Sequence, residues 1–147
     1  VSEPDAVGTM TSVKDPKQEF ERKVRTLIRG MAALFSYARV LSPVRFGVFA
    51  VEMLSHKLLR WAVPFFLITA LVSSMMLFGS LWFQVFAGVQ IVFYVIAGLA
   101  FAGWSVVRQS LPGKVALYFT MVNAAILVAW LKYAAGVRQE LWTPSQR

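Results

Sequence analysis

Three arginines, Arg22, Arg25 and Arg29, stand three and four residues apart. On a helix that spacing gathers their side chains on one face. A planar guanidinium binds phosphate through paired hydrogen bonds, so a row of them suits a diphosphate. The same row equally describes a basic face turned to water or to anionic lipid headgroups. Spacing alone leaves both readings open. A second group, Lys57, Arg60 and Trp61, has the composition of a membrane-interface anchor, with cations that reach headgroups and an indole at the boundary. His56, the single histidine, has no nucleophile or partner base near it in sequence and reads as an interface residue. A Ser–His–acid set, a glycine-rich phosphate loop and a metal-ligand cluster are all missing from the sequence. Glu3 and Asp5, two residues apart in an irregular opening, are weak candidates for acid–base work. No catalytic residue and no metal ligand is therefore assigned. The lack of cysteine rules out disulfides and thiolate metal sites.

The arginine row must be positioned by an amphipathic helix. Asp15-Pro16 is a helix start: Asp15 can cap, Pro16 fits a position that needs no donor, and Gln18 sits where a capping-box partner reaches back. From Lys17 to Leu41 the apolar residues Phe20, Val24, Leu27, Ile28, Met31, Leu34, Phe35, Ala38 and Leu41 keep helical spacing. Ser42-Pro43 repeats the start signal after a bend, and Val44, Val48, Val51, Leu54, Leu58 and Trp61 form a second stripe.

Both helices lead into the run that organises the chain. Trp61 to Val107 is 47 consecutive residues without Asp, Glu, Lys or Arg. One spanning helix needs ~20 apolar residues, so the run predicts a membrane hairpin. Its spans are placed at residues 61–83 and 85–107, with an uncharged turn at Gly79 to Gln84. Gln84 and Gln90 read as turn or interhelical hydrogen-bond residues, and Gly88, Ala97, Gly98, Ala102 and Gly103 permit close helix packing. Arg108 to Lys114 is a basic connector containing Pro112-Gly113, and a third span is placed at residues 115–135, with Asn123 as a packing hydrogen bond. The fold class expected is an all-α membrane protein, two amphipathic interfacial helices followed by three transmembrane helices. Its division is residues 1–14 as an irregular end of a cytoplasmic domain, 15–60 interfacial, 61–135 transmembrane and 136–147 a polar tail.

Composition agrees with this reading: 58% of residues are hydrophobic, mean hydropathy is +0.62, and the net charge is +8. Ten of the 15 Lys and Arg precede Trp61. By the positive-inside rule residues 1–60 are expected in the cytoplasm, with the chain multi-pass in the membrane. Membrane lipids are the partner that basic residues beside apolar spans imply. Nucleic acid is not expected, because the basic residues adjoin the membrane and no nucleic-acid-binding motif occurs. A chain opening on Val1, with a first segment that reads as the middle of something longer, is expected to be a fragment.

The stretch EFERKVRTLIRG, Glu19 to Gly30, with the opening SEPDAVG, resembles the end of the cytoplasmic catalytic domain in bacterial membrane family-2 glycosyltransferases. The resemblance continues through LSPVRFGVFA (41–50), LSHKLLRWAVP (54–64), LYFTMVNAA (117–125) and the closing WTPSQR (142–147). It covers nearly the whole chain in order. It implies an enzyme of the bacterial inner membrane that moves sugar from a nucleotide-sugar donor to a glycan or lipid-linked acceptor. It further implies a divalent cation, Mg or Mn, in the full-length enzyme but not bound by this chain. Related processive synthases carry Gln-x-x-Arg-Trp on an interfacial helix. The nearest match is Arg22 to Thr26, with Arg25 at the arginine position near the donor diphosphate or acceptor. Arg22 replaces the glutamine and Thr26 the tryptophan, which argues against a cellulose- or hyaluronan-like polymerase. The family's metal-binding acidic motif and catalytic carboxylate would precede Val1, so this chain by itself is expected to catalyse nothing. The competing reading is a non-enzymatic membrane anchor or assembly subunit with a basic lipid-binding collar. A transporter fragment is the weakest, because the spans lack charge.

Overall fold

The computed structural model describes residues 16–137, and among them every regular element is helical. Helix α1 spans Pro16–Ser36 and is followed by a 3-10 turn, Ala38–Leu41. Helix α2, Pro43–Met53, passes through a π-helical segment, Leu54–Leu59, into α3, Arg60–Met76. Helix α4 spans Leu81–Phe101, the short α5 Ser105–Gln109, and α6 Leu111–Ala134. Three helical stretches are long and apolar enough to cross a membrane: Pro43–Met76, Leu81–Phe101 and Leu111–Ala134. The chain is an all-α membrane protein.

The apolar stripe of α1 forms the core. Val24, Ile28, Met31 and Leu34 are buried in one cluster with Trp61, Ala125, Ile126 and Ala129. Ile28 and Met31 have no exposed surface, because the small side chains of Ala125 and Ala129 let the helices approach closely. Two contacts show how α1 sits. Lys23 places its ammonium 5.2 Å from the Tyr118 ring centre. From the other flank of α1, Glu21 and Arg25 share a cleft with Val128 and Lys132. Lys23 and Arg25 differ by only about 3 Å along α1, whereas Tyr118 and Lys132 are about 21 Å apart along α6. Helix α1 therefore crosses α6 at an angle.

Several boundaries differ from those expected. Helix α1 ends at Ser36, not Leu41, because the chain tightens into the 3-10 turn. The second stripe is not a separate helix ending at Trp61: beyond a kink at Gly47, helix runs on through the π segment and past Trp61 to Met76. Its irregularity lies at Gly47, whose φ of 53° is open to glycine at little cost, and in the π segment. The hairpin turn falls at Leu77 to Ser80 and α4 already begins at Leu81. Gln84 lies inside α4 and donates back to the Phe78 carbonyl at 2.8 Å, closing the turn. Gln90 donates to the Leu67 carbonyl at 2.8 Å and ties α4 to α3. The second apolar helix ends at Phe101, before Gly103 with φ of 88°. Pro112-Gly113 lies within the first turn of α6: Ser110 caps it, its Oγ accepting from the Gly113 N–H at 3.1 Å. Asn123 donates to Phe119 O of its own helix at 2.9 Å, so its hydrogen bond is local. The cap assigned to Asp15, and the residues from 138 onward, lie outside the described residues.

Candidate functional site

The N-terminal half of α1 carries the basic residues, and its helical form follows from the apolar spacing that buries the opposite face. Glu19 holds two of the cations. Its Oε2 is 2.8 Å from the Arg22 guanidinium and its Oε1 is 2.9 Å from Lys23 Nζ. The Lys23 hydrogen bond, with the Lys23 and Arg22 charges beside it, keeps the Glu19 carboxyl below the usual carboxylate range, against the opposing effect of partial burial. Arg22 is 57% exposed and so committed to a surface ion pair. Thr26 turns its hydroxyl to the Arg22 carbonyl at 2.9 Å, satisfied within the helix.

Arg25 differs from Arg22. It is half-buried on the flank of α1 and borders a cleft of about 210 Å³. Phe20, Val24 and Val128 form the apolar part of that cleft; Glu21, Arg25 and Lys132 form its charged part. Glu21 stands one helical turn before Arg25, the spacing at which such residues pair, yet among the described residues neither joins an ion pair. Arg29 is half-buried one turn further on and has an interaction of its own. The three arginines thus share a face, as their spacing required, but meet different surroundings.

The second group separates. Lys57 and Arg60 are exposed. Trp61 is 6% exposed and faces inward, where its expected position was the headgroup boundary. The reason is steric and polar: Gly30 has no side chain to keep the indole off α1, and the Trp61 carbonyl accepts from Trp130 Nε1 at 3.1 Å. The Trp130 ring packs in turn against Phe35 and Phe65. His56 is exposed on the π segment.

Among the described residues no three His, Asp or Glu side chains gather to hold a metal ion. Glu19 is neutralised by its two partners, Glu21 faces Arg25 across the cleft edge, and Glu52 is exposed on α2. These carboxylates do not fit a divalent-cation site. In sequence Lys132 reads as a cation that extends its ammonium to the membrane interface; the crossing of α1 and α6 puts it on the same cleft as Arg25, which its own neighbourhood did not signal. Comparison with protein families, with curated proteins and with solved structures finds no match to this chain.

Proposed function

We propose that the chain is the membrane-anchoring and interfacial part of a bacterial inner-membrane glycosyltransferase of family 2. Such an enzyme moves sugar from a nucleotide-sugar donor to a glycan or lipid-linked acceptor. The observation that supports this is the state of the run carrying the resemblance. Glu19 to Gly30 forms one helix whose apolar face is sealed against a helix able to span the membrane, with Arg22 exposed and Arg25 and Arg29 half-buried on its flank. A leaving nucleoside diphosphate gains negative charge during transfer, and guanidinium groups held in place beforehand stabilise it most. A helix fixed at the membrane also holds an amphipathic acceptor at constant depth. The divalent cation and the catalytic carboxylates belong, in this reading, to residues before Val1.

The test is Arg25→Ala in the longer protein that contains this chain. Losing a charge-assisted contact of about 1.5–3 kcal/mol should lower kcat/KM for the sugar donor roughly tenfold to a hundredfold. Unchanged donor kinetics would remove Arg25 from the reaction. A longer protein without any sugar transfer, whose basic residues contribute alike and fade with salt, would instead favour the membrane anchor with a lipid-binding collar.

A further inference from the structure

We infer that the cleft between α1 and α6 is a binding site for the phosphate of a membrane lipid, held between Arg25 and Lys132 with the lipid's glycerol and upper acyl chain on Phe20 and Val128. It draws on the same Arg25 as the transferase reading but does not depend on it, since the ligand is lipid and no sugar transfer is involved.

The cleft has a division of labour that suits an amphiphile. Its two cations come from different helices and, among the described residues, neither is held in an ion pair. The neighbouring cations are otherwise engaged: Arg22 and Lys23 are bound to Glu19, and Lys23 also faces the Tyr118 ring. Two cations beside one carboxylate leave the cleft with net positive charge, which attracts a singly charged phosphodiester. Glu21 adds selection, because it repels a second negative charge and accepts hydrogen bonds from a hydroxyl or ammonium headgroup. Phe20 and Val128 line the cleft beside its charges, an apolar surface that a free inorganic anion does not need. Lys132 stands in the last turn of a helix long and apolar enough to cross a membrane, so its ammonium lies where a long side chain reaches headgroups. A lipid phosphate is therefore available at that depth. A bound lipid phosphate would tie α1 to α6 by bridging two like charges that line the same cleft.

The experiment uses this 147-residue chain in nanodiscs, with native mass spectrometry of lipids retained on release. Phosphatidylglycerol should be retained in preference to phosphatidylcholine. Arg25→Gln and Lys132→Gln should each weaken retention roughly tenfold to a hundredfold, the loss of one charge-assisted contact of about 1.5–3 kcal/mol. Arg25→Gln/Lys132→Gln together should weaken it less than the product of the two if the residues hold one phosphate. Arg39→Gln and Lys114→Gln, exposed cations outside the cleft, serve as controls and should change nothing. Equal losses at cleft and control positions, or none at the cleft, would overturn the site. Glycerol phosphate that competes as well as the lipid would show that the apolar surface is idle, and with it the assignment to lipid fails. Displacement by a micromolar nucleoside diphosphate would give the cleft to a sugar donor and also overturn it. A failure here leaves donor kinetics at Arg25 untouched, so the two readings fall separately.

Discussion

At the scale of single residues, the row Arg22, Arg25, Arg29 is uniform in sequence and divided in structure. What divides it is Glu19, which lies within reach of Arg22 and Lys23 but six positions, nearly two turns, before Arg25. The ion pairs have a pH signature. The Glu19 carboxyl titrates below its ordinary value, so its contribution to stability is fully present above the unfolded value of ~4.3 and is lost as pH falls through the lower folded value. A carbon-13 titration of that carboxyl should therefore give a midpoint below ~4.3. Lys23→Gln should raise it more than Arg22→Gln, since the Lys23 hydrogen bond is the largest cause. A midpoint unmoved by Lys23→Gln would mean the pair does not exist in solution. None of this was visible in the sequence beyond permissive spacing: Glu19 could have paired with either neighbour, with both, or with neither.

At the scale of elements, hydropathy made the helices legible and obscured their ends. The stripe of α1 stands out because charged and apolar residues alternate with helical period, and Val24, Ile28, Met31 and Leu34 are buried as that period requires. In the uncharged run there is no such contrast. Pro112-Gly113 looked like a connector because proline and glycine usually break helices, yet both are tolerated in a first turn capped by Ser110. The glutamines were legible by type and not by partner. Gln90, bonded across to the Leu67 carbonyl, holds the hairpin together; Gln84 closes only its own turn. Gln90→Leu should reduce hairpin stability by about 0.5–2 kcal/mol in a reversible unfolding assay in bicelles, the range for interhelical hydrogen bonds in lipid. Gln84→Leu should act on the turn alone and leave the α3–α4 association intact. A Gln90→Leu protein as stable as the parent would show that the bond contributes nothing.

At the scale of the whole molecule, the joint between α1, α3 and α6 is the feature that sequence reasoning could not reach. Gly30, Trp61 and Trp130 are far apart in the chain, and each has an ordinary local explanation. Together they form one contact: the indole of Trp61 lies against the open side of Gly30, and its carbonyl takes the Trp130 N–H. A side chain at position 30 would place its first carbon 3.3 Å from the Trp61 ring, and a larger one would overlap it. Gly30→Leu should thus loosen α1 from the spanning helices by about 1–3 kcal/mol, the usual cost of overpacking. Hydrogen exchange at the α1 amides should quicken while α4 keeps its protection. Equal exchange in α1 before and after the substitution would show that the joint does not hold it.

The π segment bears on how deeply the protein sits. Helix α3 has 17 residues and rises about 25 Å, short of a hydrocarbon layer of about 30 Å, whereas α4 has 21 and rises about 31 Å. The shortfall of about 5 Å can be met by the preceding residues, which belong to the same spanning stretch, or by Leu77 and Phe78 of the turn. Where the preceding residues meet it, exposed Leu59 belongs to the oil, and Arg60, one position further in, bends its long side chain back toward water. A bilayer a few ångströms thinner removes that conflict, so the protein's affinity for a membrane should depend on thickness as well as on charge.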